Sequence, residues 1–359
     1  MIVYIFLLIS IVVSRIIIEN KNVFCIVSGF LLYLLVALRS INIGLSDTSQ
    51  TYLNNFNWIK VNNIHNIFIN TLSSNSIAFN LFTKFIQLFT SNYHVYLAVI
   101  GIPYILAITY LIKNYSKYPL LSYIFFIAYY YLYSFFLVRQ VFAMSFIIFS
   151  FKYLKEKKPV KFMLLVFIAS LLHSSAIVVL VAYPFCHWVK FGIKNYIFIS
   201  LIFVFATSLK GTVFNIISLY APVISSYIEN GIYGTSNGVF IFSILINVVL
   251  ITLGYISNKK VSYDDNILYN LATLGSIFLC FTPVVTEFYR LSLYFNVFNV
   301  VLISNDLLNL QNNKILKDKR IRVGIYMVFL VFLVFYFFTK AINNVNANPY
   351  LFYWSDLIS

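Results

Sequence analysis

Charge is what this sequence has least of. Only 10% of its 359 residues are charged, and 10 of them are acidic. Hydrophobic residues reach 61%, with a mean hydropathy of +0.89, which excludes a water-soluble domain. The short alternating segments of a membrane β-barrel are missing too. Cysteine is scarce: Cys25, Cys186 and Cys280 stand far apart, two of them inside apolar runs. They offer neither metal-ligand spacing nor a disulfide framework. No internal repeat, low-complexity linker or soluble domain interrupts the chain.

What is present is a succession of apolar runs, each about 18 residues or longer. They predict an all-α, polytopic membrane protein of about 12 transmembrane helices, a single integral-membrane domain over 1–359. No small-residue cleavage site follows the apolar N-terminus, so it reads as a retained first span. The net charge of +15 does not indicate nucleic acid, because the basic residues gather in short loops and orient the protein in the membrane. "KYLKEKKPVK" (152–161) and "KILKDKRIR" (314–322) are expected in the cytoplasm, with "KNYSK" and the Arg15/Lys21 pair in agreement. The predicted spans are 2–19, 23–38, 93–112, 119–138, 140–154, 162–185, 195–209, 212–229, 238–256, 266–286, 289–305 and 321–340, with both termini outside. The segment 39–92 is then an external loop. Its end, "SIAFNLFTKFIQLF", places Phe79, Phe82, Phe85, Ile86 and Phe89 at helical spacing, with Asn80, Thr83, Lys84 and Gln87 on the other side. That pattern predicts an amphipathic helix lying at the outer interface.

Polar residues at depth carry the chemistry. From Tyr118 to Phe151 the one charged side chain is Arg139. Those residues would make about 50 Å of helix against a hydrocarbon core of about 30 Å. The run must therefore fold back, with Arg139 near the outer turn. His173, in "LLHSSA", and Arg139 lie at similar sequence distance from the basic loop that joins their helices, about 18–20 Å above it. Glu287 and Arg290 stand at i and i+3 in "TEFYRLSLYF". "ALRSINIGLSDTSQTY" supplies Arg39, Asp47 and Tyr52, with Gly44 permitting a turn. Bland readings exist for each: snorkelling arginines, a satisfied interhelical histidine, a self-neutralising Glu–Arg pair. Asp264–Asp265 sits beside Lys259 and Lys260, as a solvated loop would.

In this order the motifs resemble the EpsG family. "ALRSINIGLSDTSQTY" resembles its Arg, Gly, Asp, Tyr pattern after the second span. "VRQVFAMSFIIFSFKYLKEKK" looks like its Arg-Gln helix and basic loop, and "LLVFIASLLHSSAIVVL" like its His-x-Ser helix. "EFYRLSLYF" and the tail "NANPYLFYW" complete the set, while about 186–260 carries no match. The family is similar to Wzy-type polymerases of O-antigen, capsule and exopolysaccharide.

The resemblance implies a glycosyltransferase joining undecaprenyl-diphosphate-linked oligosaccharides at the external face of the bacterial inner membrane. A chain-length regulator and a flippase are the implied partners. On that reading Arg139, Arg290 and Arg39 hold the diphosphate, since arginine forks match phosphate oxygens and stay charged. His173 is the expected base, with Asp47 or Glu287 competing, and Gln140, Tyr52 and Tyr289 contact sugar. No cofactor is expected, and no metal, because no Asp-x-Asp cage lies on the external side. Two rivals share these features: a flippase for the lipid-linked unit, and a glycosyltransferase using a polyprenyl-phosphate sugar.

Overall fold

A computed structural model describes residues 2–43, 50–72, 77–212, 215–216, 237–257, 262–309, 319–342 and 349–357. Asp47, Gly44, Lys259, Lys260, residues 314–318 and most of the expected span 212–229 lie outside the described residues. Within them the chain is helical, and the one strand-like feature is an isolated bridge between Arg39 and Phe352. The all-α expectation holds.

The chain divides into two compact units. The first comprises Met1–Ile177 and Val323–Ser359. It opens with α1 (Ile2–Ile17) and α2 (Lys21–Ala37). The segment expected as an external loop with one helix holds three: α3 (Leu53–Val61), α4 (Ile64–Leu72) and α5 (Ile77–Gln87). Then come α6 (Tyr93–Tyr115), α7 (Pro119–Phe126), a π-helical turn (Ile127–Tyr131), α8 (Tyr133–Phe136), α9 (Val138–Lys155) and α10 (Pro159–Leu172). The second unit, Val178–Arg322, contains α11 (Ala182–Trp188), α12 (Ile193–Ser208), α13 (Asn237–Ser257), α14 (Tyr263–Cys280), α15 (Glu287–Asn296) and α16 (Asn299–Asn309). The last long helix, α17 (Lys319–Ile342), lies almost wholly in the first unit.

By length and composition, α6 is the one described helix able to cross a membrane; the other apolar stretches, including those within α13 and α17, span 10–17 residues. Three expected spans are shorter because they are broken. The run 119–138 changes to π geometry at Ile127 and restarts twice. The run 162–185 stops at His173, whose backbone is extended (φ −152°, ψ 109°), and continues as a 3₁₀ helix from Ser174. Consecutive serines offer the backbone alternative hydrogen bonds, which favours a break there. The run 289–305 divides between α15 and α16.

Helix packing in the first unit depends on close approach. A Cβ on Gly29 would collide with the Thr109 hydroxyl, so α2 and α6 meet nearly backbone to backbone at that point. Polar anchors reinforce the pair and its neighbours: Tyr123 and Tyr131 donate to the carbonyls of Cys25 and Leu32 at 2.8 Å.

α5 forms as its periodicity predicts, and its polar side turns toward protein. Asn55 donates to Asn80 at 2.9 Å, Thr83 and Tyr96 share a bond of 2.9 Å, and Gln87 donates to the Phe56 carbonyl at 2.7 Å. Phe85 and Phe89 are left exposed. The buried amides need these partners, because an unpaired amide costs about 1–3 kcal/mol, whereas phenyl rings can face lipid.

In the second unit, buried amides link the helices. Asn195 on α12 donates to Asn270 (3.1 Å) and Thr273 (3.0 Å) on α14. Asn247 on α13 reaches Ser276 at 3.0 Å and Asn296 at 2.9 Å, and accepts from Asn299 at 2.7 Å. Asp264 and Asp265 occupy the first turn of α14, where Ser262 caps the Asp265 amide at 3.1 Å. A helix N-terminus favours such negative charge.

Candidate active site

The first unit assembles its site around the interrupted helix, residues 127–139. An interruption in an apolar helix strands carbonyl groups that must find donors. Two cations from distant sequence supply them. Arg39 donates through Nη1 to the Ser134 carbonyl at 2.6 Å, and its guanidinium lies over the Phe135 ring at 5.6 Å. Lys340 donates to the Tyr129 carbonyl at 2.8 Å and to the Tyr133 hydroxyl at 3.3 Å, with Nζ 4.4 Å from the Tyr133 ring centre.

Arg139 follows directly. Leu137 breaks the backbone (φ −89°, ψ 45°) and α9 begins at Val138, so Arg139 occupies the first turn of an 18-residue helix. The N-cap residue itself, Leu137, has no side chain that could accept from that N-terminus. The Arg139 amide donates to the Tyr52 hydroxyl at 3.4 Å, and its guanidinium sits 5.7 Å from the Tyr52 ring centre. The helix boundary expected at Arg139 thus falls at Leu137.

Tyr52 lies between the two arginines. Arg39 has Tyr93, Tyr350, Tyr131 and Tyr52 as its electrostatic neighbours. It is only 1% exposed, the largest fully buried side chain among the described residues, although the sequence suggested an edge position. Nε of Arg39 and Nε of Arg139 are both buried without a hydrogen-bond partner. Among the described residues, Arg39, Arg139 and Lys340 take no carboxylate as ion-pair partner. Three basic side chains therefore surround one broken helix without a carboxylate, and Arg39 and Arg139 each keep a spare Nε donor. Fixed donors of this kind suit an anion held or formed there.

The other sequence-derived residues fall as follows. Tyr52 lies under the Arg139 guanidinium and Gln140 follows Arg139 in the chain; both are buried. His173 is half-buried at the end of α10, and α10 packs along α9. Glu287, Tyr289 and Arg290 belong to the second unit: Glu287 opens α15 and accepts from the Thr286 hydroxyl at 3.1 Å, Tyr289 is half-buried and Arg290 exposed.

Several polar residues went unforeseen. Lys340 gives the same signal as Arg139, a single charge in an apolar run. Asp306 is buried and accepts a hydrogen bond from Tyr269. The C-terminal residues 349–357 return to the end of α2. Ser40 N–H donates to the Leu351 carbonyl and Tyr353 N–H to the Leu38 carbonyl, both at 2.9 Å. Tyr350 donates to the Leu35 carbonyl at 2.6 Å. Asp356 accepts from the Ser40 hydroxyl, from the Ile41 amide at 2.9 Å and from Asn42 at 3.1 Å. His94 Nε2 stands 3.6 Å from the same carboxylate. No local motif announces contacts across more than 300 residues.

No curated protein and no solved structure matches the chain. A family model described as the EpsG family matches residues 22–352, a stretch that includes Arg39, Tyr52, Arg139 and Lys340. The chain belongs to the EpsG family, membrane proteins of the polysaccharide-polymerase type.

Proposed function

We propose that this protein is a glycosyltransferase that polymerises oligosaccharide repeat units carried on undecaprenyl diphosphate. It works at the external face of the bacterial inner membrane, as one integral-membrane domain of about 12 spans. The observation that supports this reading best is Arg139 in the first turn of α9, over Tyr52, with no carboxylate partner.

The chemistry follows from charge. A hydroxyl of the incoming unit attacks the anomeric carbon of the sugar on the lipid diphosphate. The new C–O bond forms as the bond to the diphosphate oxygen breaks, and undecaprenyl diphosphate departs with the electron pair. Negative charge on the leaving group rises in the transition state, so donors fixed beforehand lower the barrier. Arg139 supplies a planar fork and α9 supplies the positive end of its dipole. Arg39 adds charge, and Arg290 is a further diphosphate ligand. His173 takes the hydroxyl proton, with Asp47 and Glu287 as the competing bases. Gln140, Tyr52 and Tyr289 contact sugar. The cations perform the task a divalent metal would otherwise have. A chain-length regulator and a flippase are the expected partners.

The decisive experiment is deletion of the gene, with the surface glycan sized on a gel. A ladder that collapses to a single repeat unit supports polymerisation. Complete absence of surface glycan, with lipid-linked units accumulating on the inner leaflet, would instead identify a flippase. Addition of one sugar only would identify a polyprenyl-phosphate glycosyltransferase.

A further inference from the structure

The C-terminal strap, residues 349–357, contains a feature that the diphosphate site does not use. Phe352 and Trp354 stack face to face, with ring centres 4.3 Å apart and planes 6° from parallel. Phe352 covers one face of the indole, yet Trp354 stays 44% exposed. Tyr353 meets Trp354 edge-on at 5.3 Å and lies 5.7 Å from the His94 ring. Polar groups rim these rings: exposed Asn42, half-buried His94 and the carboxylate of Asp356. His94 sets its Nε2 toward that carboxylate, and its Nδ1 is buried without a hydrogen-bond partner.

Two arguments identify what such a surface takes. The first is chemical. A flat indole bordered by an amide, an imidazole and a carboxylate matches a pyranose, which has an apolar C–H face and a rim of hydroxyl groups. An acyl chain would leave the Asp356 carboxylate beside hydrocarbon without gain. The second is positional. Phe352 is the bridge partner of Arg39, and Arg39 adjoins Tyr52, on which Arg139 rests. A sugar esterified to a diphosphate is one bond from it, so the platform adjoins the site where that sugar must lie.

We propose that the strap is a carbohydrate subsite, in which Trp354 stacks on a ring of the lipid-linked oligosaccharide and the exposed Asn42 bonds its hydroxyls. Asp356 is a positioning residue: it fixes the strap to Ser40, Ile41 and Asn42 and does not need to touch sugar. The inference rests on the polymerase reading.

The test uses full-length protein in lipid nanodiscs and two probes. One is the glycosylated undecaprenyl diphosphate extracted from a strain deleted for this gene, and the other is undecaprenyl diphosphate without sugar. Trp354→Ala is expected to weaken binding of the glycosylated probe about fivefold or more and to leave the bare lipid unchanged. Trp354→Phe should keep most of the affinity, and Trp188→Ala, the loss of an exposed indole in the second unit, should change neither probe. Equal weakening of both probes in Trp354→Ala would make the strap a headgroup anchor and overturn the inference. Native-level binding of the glycosylated probe by Trp354→Ala would overturn it too. A polymerase that fails the gel assay while the contrast between probes persists loses the reaction but keeps the subsite. Native protein that retains neither probe removes both.

Discussion

Arg39 in one unit and Asn247 in the other are equally buried, each 1% exposed, in helical surroundings that are otherwise apolar. Their neighbours treat them differently. Asn247 meets amides and hydroxyls of its own kind, on Ser276, Asn296 and Asn299, and its donors and acceptor are all used. Arg39 has one bond to a carbonyl, aromatic rings around it and an unpartnered Nε. Amides paired with amides hold helices together where water is absent. A guanidinium without a counter-ion is costly there, and remains only where something gains from its charge. The contrast separates a unit stapled by neutral hydrogen bonds from a unit that concentrates positive charge on a broken helix.

The largest expected effect comes from the side chain with the least structural work. Arg139 bonds Tyr52 through its backbone amide, so Arg139→Lys preserves that bond and the charge but removes the fork. Polymer formation should fall about 100-fold, with the thermal midpoint in detergent close to that of native protein. If Arg139→Lys and His173→Ala both give native polymer length in cells, the site assignment is wrong.

Next in size is the opposite case. Asn247→Ala strands Asn296 and Asn299 in an apolar interior, and should cost about 1–3 kcal/mol of stability. Thermal unfolding in detergent measures this. Polymer length per folded molecule should stay native. A shortened glycan at undiminished stability would show that the amide network belongs to the reaction, and the contrast between the units would fail.

What the sequence made legible follows this same division. Arg139 stood out because one charge in an apolar run is rare, and run length against bilayer thickness put a helix boundary within two residues of it. Helix class and most helix starts followed from apolar runs between basic loops. The π turn at Ile127 was not legible: "IAYYY" has helical periodicity, and only the arrival of Arg39 and Lys340 from elsewhere shows which carbonyls the break exposes. The 3₁₀ restart after His173 was hidden for a similar reason, since "HSSAIVVLV" is apolar enough to continue a span. The inward turn of Asn80 and Thr83 depends on Asn55 and Tyr96, and helical periodicity separates two faces without saying which one meets protein. The strap is the extreme case, because Asp356 acquires meaning only beside Ser40 and His94.

The smallest expected effect concerns Lys340, and it tests whether all three cations are alike. Lys340→Met removes the donor to the Tyr129 carbonyl and the hydrogen bond to Tyr133, a loss of about 1 kcal/mol. The same change removes the cost of keeping an ammonium out of water, and methionine fills the space among Tyr129, Tyr133 and Tyr336. The two terms oppose, so the thermal midpoint should shift by only a few degrees in either direction. Polymer yield then gives the answer. A Lys340 that only satisfies the broken helix leaves polymer length near native in Lys340→Met. A shortened ladder at unchanged stability would place Lys340 with Arg139 among the groups that face the diphosphate, and the unit would carry a longer cationic track than its two arginines imply.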